Sequence, residues 1–308
     1  MKNKAIVTGG AGFIGSHLVD RLISEDFDVL VIDNLSTGKK ENINTKAEFL
    51  KKDINDKEIE SIVLNFSPDY IFHLAAQIDV RKSLVDPIWD ANINIQGTLN
   101  LLNAASKSNI KKFIFASTGG AIYGEAKNAT EDFMPNPLSP YGVSKLACEN
   151  YMQVYSMWKG LSFTSLRYGN VYGPRQDPKG EAGVVAIFCR QLLHGEDIFL
   201  YGYGKMKRDY VFVSDVVEAN IKSIQMETIG IYNIATSKST SVNDLFNIIK
   251  SISGRDIKPE YKERREGEIF EVWLDTEKAK KELDWEPKVS LKEGLSITYK
   301  WFQEHLNK

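Results

Sequence analysis

Short apolar runs alternate along the first half of the chain with stretches in which apolar residues recur at helical spacing. The apolar runs predict strands at residues 4–8, 28–33, 48–53, 70–74, 112–117 and 163–168. The helically spaced stretches predict helices after the first strand, at 58–66, at 89–108, and from Ser139, a suitable N-cap that is followed by Pro140. Strand and helix alternating in this way predict an α/β fold, a doubly wound parallel sheet covered by helices on both faces.

The texture of the chain changes after residue 168. Glycine, proline and charged residues become frequent, and helical patterns at 184–193, 214–226, 242–252 and 291–305 are separated by short strands and loops. We predict a first domain of residues 1–168, to which 209–235 returns. Residues 169–208 and 236–308 then form a smaller C-terminal α/β lobe.

Composition narrows the function classes. With 308 residues, 43% of them hydrophobic, the chain buries a large core, yet no stretch approaches the ~20 apolar residues of a membrane span. The 39 basic and 41 acidic residues nearly cancel, which argues against nucleic-acid and membrane-surface binding. Cys148 and Cys189 are expected as buried thiols, and no Cys/His cluster has metal-ligand spacing. We expect a soluble, cytoplasmic protein without a metal.

A glycine-rich sequence, TGGAGFIG, joins the first predicted strand to the first helix. It fits the G-x-G-x-x-G pattern, and Gly9, Gly12 and Gly15 fit a looser spacing. Glycines permit the tight turn and let backbone approach a pyrophosphate, and the helix-start amides of Phe13 and Ile14 then face the phosphates. A plain turn is the alternative, but the strand before and the helix after favour a Rossmann-type dinucleotide site.

Asp33 follows Gly15 by 18 residues, at the end of the second predicted strand. A carboxylate there accepts hydrogen bonds from a ribose diol and repels a 2′-phosphate, and no arginine adjoins it. The sequence therefore predicts NAD rather than NADP.

Two further strand ends are candidates for the same cofactor. Asp53 and Ile54 follow the third strand and are suited to meet the adenine, although a solvated strand end explains Asp53 nearly as well. The small side chains of HLAAQ, after the fourth strand, would let a cofactor lie close, whereas His73 itself is expected in the core. The cofactor-facing residues of that stretch are Leu74, Ala75, Ala76 and Gln77.

Tyr141 and Lys145 lie four residues apart, on one face of a predicted helix. Tyrosine, with a pKa of about 10, is a poor base at neutral pH, but a lysine cation and the positive nicotinamide of NAD⁺ favour its phenolate. We expect that phenolate to take a hydroxyl proton while the same carbon is oxidised. Ser117 and Thr118, at the end of the fifth strand, offer a hydroxyl to the reacting sugar oxygen or, alternatively, cap the strand.

The motifs TGGAGFIG, DNLSTG, HLAAQ, ASTGGAIYG, SPYGVSK, RYGNVYGPRQ and RDYVFVSDV together resemble those of the extended short-chain dehydrogenase/reductases. The resemblance covers essentially the whole chain and is closest to the 4-epimerases of UDP-glucose. It implies that Tyr141 is the acid/base, that Lys145 orients it and the nicotinamide ribose, and that Thr118 or Ser117 is the helper hydroxyl. This chain carries one more residue than the commoner form of the motif between that hydroxyl and Tyr123, so both hydroxyls stay candidates.

The resemblance also implies the remaining binding residues. It assigns NAD contacts to Asn34, Ser36, Thr37, Gly38 and Tyr168. It assigns the nucleotide sugar to Asn170, Gly183, Val184, Val185, Tyr201, Arg208, Arg265 and Glu268. Two arginines that fork onto a diphosphate supply the anion binding that the bulk charge does not. The first domain would then bind NAD and the smaller lobe the nucleotide sugar.

Several reactions share this scaffold. Gly119 and Gly120 follow Thr118 where the 4,6-dehydratases of the family carry carboxyls, which argues against dehydration. We therefore expect a UDP-hexose substrate and an epimerase that interconverts UDP-galactose and UDP-glucose through a 4-keto intermediate. The alternatives are an epimerase or decarboxylase of UDP-N-acetylglucosamine or UDP-glucuronate, a dehydrogenase that releases NADH, and a non-catalytic NAD-binding protein. Val272, near the expected sugar gate, is small enough to admit an acetamido group.

Helices 89–108 and 139–158 match a dimer interface in relatives, which implies a homodimer.

Overall fold

A computed structural model describes residues 2–178, 183–227, 229–264 and 268–306. The strands of this part of the chain are β1 (Lys4–Thr8), β2 (Asp28–Ile32), β3 (Glu48–Leu50), β4 (Tyr70–His73), β5 (Lys112–Thr118), β6 (Ala126–Ala129), β7 (Phe163–Tyr168), β8 (Asn170–Tyr172), β9 (Phe199–Tyr201), β10 (Lys207–Arg208), β11 (Tyr210–Phe212), β12 (Gly230–Ile234), β13 (Thr240–Ser241), β14 (Glu260–Lys262) and β15 (Glu271–Leu274). The α-helices are α1 (Phe13–Ser24), α2 (Ile59–Phe66), α3 (Val80–Val85), α4 (Pro87–Ala91), α5 (Gly97–Lys107), α6 (Gly119–Tyr123), α7 (Pro140–Lys159), α8 (Val184–His194), α9 (Val213–Gln225), α10 (Val242–Ser253), α11 (Glu277–Leu283) and α12 (Leu291–His305).

Seven of these strands form one parallel sheet in the order β3-β2-β1-β4-β5-β7-β12. Successive side chains of a strand point to opposite faces, and in β1 Ala5 and Val7 join one buried cluster while Ile6 joins another. α1 and α9 supply the first cluster, and α2, α5 and α7 supply the second. Helices thus cover both faces of the sheet, which confirms the predicted doubly wound α/β fold.

The sheet has a switch point beside β1. The chain runs from β1 outward to β2 and β3, then returns to the other side of β1 to form β4 and β5. In open α/β sheets the loops diverge at such a point and leave a crevice at the carboxyl ends of the strands. The loops that follow β1, β2, β4 and β5 carry most of the residues predicted to bind the cofactor.

Smaller sheets make up much of the rest. A mixed sheet has the order β13-β10-β15-β6, and β11 pairs with β8 and β14 with β9. Helices α8, α10 and α12 enclose a separate apolar cluster around Phe188, Phe246 and Phe302. β12 extends the large sheet beside β7, and α9 packs on α1. The domain boundaries given above stay predictions.

The predicted helix at 89–108 is divided in the structure. α4 ends at Ala91, a π-helical turn spans Asn92–Gln96, and α5 begins at Gly97. The apolar spacing continues across the turn, so the pattern gives no signal of it. The sequence pattern also missed α6 and β6, which follow the glycine pair after Thr118. Within the described ranges, no helix is long and apolar enough to cross a membrane.

Candidate active site

The loop between β1 and α1 lies against the loop that follows β4. Gly9 has a φ of +72°, and a Cβ atom there would lie 2.7 Å from the Ala75 nitrogen. A Cβ atom on Gly15 would overlap the Gly9 carbonyl oxygen. The N-cap of α1 is Gly12, and neither a side-chain cap nor an acidic residue occupies the first turn. This backbone cradle, open at a helix N-terminus, is suited to a pyrophosphate.

Asp33 is held directly beside that cradle. Its Oδ2 accepts a hydrogen bond from the Ala11 nitrogen at 3.0 Å and its Oδ1 accepts one from the Leu35 nitrogen at 2.8 Å. The side chain is buried, and a Cβ atom on Gly38 would lie 2.9 Å from Oδ1. Each carboxylate oxygen can accept a second bond, as a ribose diol requires. A cradle without Cβ atoms, an uncapped helix and a fixed carboxylate together fit NAD.

Other predicted NAD contacts surround this centre. The Asn34 Nδ2 donates to Asp53 Oδ2 at 2.7 Å, and the Asn34 Oδ1 accepts from the Ser36 nitrogen, so two of the predicted loops are joined. Ser36 and Thr37 are exposed, while Leu74, Ala75 and Ala76 are partly buried behind the glycine loop. Their contact with NAD stays a prediction.

Three residues predicted to contact NAD have packing or hydrogen-bond partners inside the protein. Ile54 is buried against Gly97, and the Gln77 Nε2 donates to Asp90 Oδ1 at 2.8 Å. The Tyr168 hydroxyl accepts a hydrogen bond from Asn220 Nδ2 at 2.9 Å in the core. The structure therefore shows packing and internal bonding for these side chains, which spacing along the chain did not predict.

Helix α7 carries the predicted acid/base pair. Ser139 Oγ accepts from the Gly142 nitrogen at 3.2 Å and Pro140 is the first helical residue, which confirms the predicted start of the helix. Lys145 is buried, its Nζ donates to the Ala116 carbonyl at 2.9 Å, and it lies 4.5 Å from the centre of the Phe115 ring. Burial lowers the pKa of Lys145 to about 8.

The pKa of Tyr141 is shifted in the direction opposite to the prediction. Burial raises it, and the negative charge of Asp90 raises it further. The prediction weighed the neighbouring lysine and overlooked both the burial and Asp90, which is distant from α7 in sequence. Both effects favour the phenol over the phenolate, and the predicted lowering of the pKa depends also on the positive charge of NAD⁺.

The two candidate hydroxyls have different surroundings. Ser117 Oγ donates to Glu149 Oε1 at 2.6 Å inside a buried ion pair, in which Arg167 Nη2 lies 2.6 Å from Glu149 Oε2. Thr118 is only partly buried, and its Oγ1 accepts from the Ala121 nitrogen at 3.4 Å. The hydroxyl of Ser117 is thus committed to the core, and Thr118 is the better candidate for contact with a sugar.

Sequence reasoning missed a buried polar cluster next to Tyr141. Asp90 is completely buried and accepts hydrogen bonds from Ser144, Gln77 and Asn94. A signal was present in that Asp90 and Asn94 lie four residues apart in a largely apolar helical pattern. Their shared partner Gln77 and the Asp90 partner Ser144 on α7 could not be read from local spacing.

Of the two arginines predicted to bind the diphosphate, Arg208 lies within the described residues. Its Nη1 donates to the Lys207 carbonyl at 2.8 Å and its Nη2 to the Ile269 carbonyl at 2.7 Å. Burial lowers its pKa, and no carboxylate lies within ion-pair distance of it in the described ranges. A partly buried guanidinium held by neutral carbonyls gains from an anionic ligand. Arg265 lies outside the described residues.

The other predicted substrate residues lie in separate elements between β8 and β15. Asn170 is exposed at the start of β8, and Tyr201 ends β9 beside Lys262. Gly183 is the N-cap of α8 and has no side-chain capping bond, while Val185 is buried in the apolar cluster of that helix. The remaining two are Val184, which begins α8, and Glu268, which is partly buried before β15.

The glycine pair after Thr118 meets β15. A Cβ atom on Gly119 would overlap the Leu274 side chain, so this position is filled from β15. A Cβ atom on Gly120 would meet only Val272 Cγ1, at 3.7 Å. Gly120 and the buried Val272 therefore face each other with room for about one methyl group.

Comparison with known proteins agrees with this geometry. A profile of the NAD dependent epimerase/dehydratase family matches residues 5–235. The crystal structure of the UDP-glucose 4-epimerase of Thermotoga maritima with UDP-glucose is 49% identical, with a TM-score of 0.96 over 98% of this chain and 99% of that one. The Thermus thermophilus UDP-glucose 4-epimerase complexed with NAD is 42% identical, with a TM-score of 0.93 over 98% and 99%. The UDP-N-acetylglucosamine 4-epimerase of Methanobrevibacter ruminantium, complexed with UDP-N-acetylmuramic acid, is 39% identical, with a TM-score of 0.94 over 99% of each chain.

The chain therefore belongs to the NAD-dependent epimerase/dehydratase family and is an NAD-dependent nucleotide-sugar epimerase. This confirms the family, the enzyme class and the cofactor predicted from the sequence.

Proposed function

We propose that this protein interconverts UDP-galactose and UDP-glucose through a 4-keto intermediate. The observation that carries the proposal is that Lys145 on α7, four residues after Tyr141, bonds the Ala116 carbonyl of β5, the strand that ends at Thr118. No carboxyl follows Thr118 at the next two positions. The dehydratase reaction requires an additional acid and base, whereas epimerisation requires only reversible oxidation and one proton carrier. The likeness to the Thermotoga and Thermus enzymes supports the same substrate.

The residues of this chain have distinct roles in the proposed reaction. Bound NAD supplies reversible oxidation at the sugar C4. The phenolate of Tyr141 takes the proton of the C4 hydroxyl. The resulting phenol returns this proton after the keto sugar has rotated in the site to present its other face. Lys145 provides the positive charge that makes the phenolate accessible, and Thr118 donates a hydrogen bond to the reacting oxygen. The high pKa that burial gives Tyr141 suits the second half of this cycle, in which the phenol is the proton donor.

The smaller lobe would hold the nucleotide. Arg208 is partly buried and has no ion-pair partner in the described part of the chain, and we assign it, together with Arg265, to the diphosphate. Asn170, Tyr201 and the uncapped start of α8 at Gly183 would contact the sugar nucleotide around it. NAD would lie in the domain of residues 1–168 with 209–235, and the substrate in the lobe of 169–208 and 236–308.

A second substrate is favoured by one specific likeness. The Methanobrevibacter relative, which is 39% identical, is a UDP-N-acetylglucosamine 4-epimerase. UDP-N-acetylglucosamine is therefore the second candidate, and kcat/KM measured for both sugar classes would rank them.

The decisive experiment is conversion of UDP-galactose to UDP-glucose by purified protein without added NAD. Wild type is expected to turn over, because an epimerase regenerates NAD⁺ and can retain it. Tyr141→Phe is expected to be inactive, while Tyr151→Phe, which alters an exposed tyrosine on the same helix, should match wild type. No turnover of UDP-galactose, even with NAD supplied, would refute the proposal and leave N-acetylated and uronate sugars.

We also propose a homodimer built on α4, α5 and α7. Apolar side chains are exposed on α3, α4 and α7, among them Val85 at 86%, Ile88 at 81%, Met157 at 80% and Trp158 at 80%. Exposed apolar side chains in this number commonly mark an interface. Sedimentation should give twice the chain mass, and Trp158→Glu should shift it to the monomer; a monomeric wild type would contradict the proposal.

A further inference from the structure

Asp90 occupies an unusual place for a carboxylate. Its side chain on α4 has no exposed surface, and no lysine or arginine of the described ranges forms a salt bridge with it. Ser144 Oγ donates to Oδ2 at 2.6 Å, while Gln77 Nε2 and Asn94 Nδ2 donate to Oδ1 at 2.8 and 3.1 Å. A buried carboxylate is tolerated only when donors of this kind replace water.

The three donors belong to three parts of the active site. Gln77 is in the loop after β4, which lies against the glycine loop, and Asn94 is in the π-helical turn. Ser144 directly precedes Lys145 and lies three residues after Tyr141 on α7. Asn94 also binds the Gln77 backbone at both ends, through Oδ1 at 2.9 Å and Nδ2 at 3.0 Å. One carboxylate thus ties the loop behind the cofactor cradle to the helix of the acid/base.

The charge of Asp90 shifts the pKa of both Tyr141 and Lys145. It raises the pKa of Tyr141, and it is among the acidic groups that raise the pKa of Lys145 against the effect of burial. The other titratable groups that interact with Lys145 are Cys148 and Glu149 on α7 and His73 on β4. In a site shielded from water, a carboxylate at this position opposes formation of the tyrosinate.

We propose that Asp90 is a positioning residue, which acts on Tyr141 through Ser144 and through its own negative charge. The hydrogen bond to Ser144 fixes the turn of α7 on which Tyr141 and Lys145 lie. The charge holds Tyr141 as a phenol until bound cofactor and substrate favour the phenolate. This inference rests on the proposed function for the role of Tyr141 as acid/base.

The test separates the charge from the hydrogen bond with two variants of the NAD-loaded protein. Asp90→Asn keeps the shape and removes the charge, whereas Ser144→Ala keeps the charge and removes the bond. Two readouts are followed: the pH profile of kcat with UDP-galactose, and the ultraviolet titration of tyrosinate. Because the chain has 13 tyrosines, the signal of Tyr141 is taken as the difference from Tyr141→Phe in the same background.

Asp90→Asn is expected to lower the midpoint of both profiles by about one pH unit or more, the effect of removing a nearby like charge. Ser144→Ala is expected to lower kcat about tenfold, with KM and the midpoint unchanged. Asp215→Asn removes another buried carboxylate, one that accepts a bond from the Val289 nitrogen on the far side of the sheet, and should leave the midpoint in place.

A midpoint that stays fixed in Asp90→Asn would overturn the role of the charge, and an unchanged kcat in Ser144→Ala would overturn the role of the bond. If Asp90→Asn does not fold, Asp90→Ser, which leaves room for a water, carries the same expectation. A wild type that fails to epimerise UDP-galactose refutes the proposed function alone, because the tyrosinate titration still reports on Asp90.

Discussion

His73 should make the folded protein sensitive to mild acid. The imidazole is buried between two threonines: its Nδ1 lies 2.7 Å from Thr8 Oγ1 and its Nε2 lies 2.9 Å from Thr98 Oγ1. Thr98 Oγ1 donates to the Asn94 carbonyl, so it accepts from an Nε2–H, and Thr8 then donates to Nδ1. Both ring nitrogens are satisfied by the neutral tautomer alone, because a proton on Nδ1 would require Thr8 to become an acceptor.

The size of the effect follows from the pKa. Burial first, and the Lys145 charge second, lower the pKa of His73 from 6.5 to about 3. In mild acid His73 is therefore protonated in the unfolded chain and neutral in the folded protein. The free energy of unfolding thus falls as the pH drops from about 6.5 towards 3. Between about pH 7 and pH 5, with the unfolded pKa near 6.5, the loss from this one group is about 2 kcal/mol.

The assay is urea unfolding at the two pH values, with saturating NAD throughout. His73→Gln keeps a neutral polar side chain that does not titrate, and should lose about 2 kcal/mol less than wild type over this pH interval. His305→Gln, which alters an exposed histidine on α12, should reproduce the wild-type loss and serves as the control. Comparison of variants cancels the contributions of His17 and the carboxylates. An equal loss in wild type and His73→Gln would refute the reasoning.

Three further changes test other parts of the structure. Gly15→Ala should abolish NAD retention in the purified protein, because its Cβ overlaps the Gly9 carbonyl. The control Gly160→Ala, with open space around it, should lower the free energy of unfolding by only about 1 kcal/mol and keep NAD. Retention of NAD in both variants would contradict the cradle. Glu149→Ala leaves Arg167 buried without its partner and should lower the free energy of unfolding by about 3–5 kcal/mol in urea; a loss below about 1 kcal/mol would count against a buried pair. Arg208→Met should raise KM for UDP-galactose about 10- to 100-fold with NAD retention unchanged, and an unaltered KM would remove Arg208 from the diphosphate site.

Much of the fold could be predicted because its signals are local. The alternation of apolar runs and helical spacing located the six strands from β1 to β7 that belong to the large sheet and most of their helices, several of them to within a residue or two. The interruption of the predicted helix at 89–108 was missed because a π-turn depends on partners outside it. The Asn94 carbonyl accepts from Thr98 Oγ1 and from Cys148 Sγ on α7. Cys148 and Cys189 are buried free thiols, as predicted.

The sequence by itself determined the parts of this protein that depend on neighbours along the chain. The glycine spacing before α1, Asp33 at the end of β2, and the four-residue interval from Tyr141 to Lys145 are readable because helix and strand geometry repeats at short range. With the alternation of strands and helices, these features predicted the fold and the cofactor, whereas the enzyme class came from the resemblance of the motifs to a known family.

The tertiary structure alone decided which partners the buried polar groups bind. Ser117 and Thr118 are adjacent, yet only packing shows that Ser117 is bonded to Glu149 in the core. The direction of the Tyr141 pKa depends on burial and on Asp90, a residue 51 positions earlier in the chain. Desolvation and Coulomb interactions act through space, so their sign at a site is set by contacts between segments that local sequence patterns do not connect.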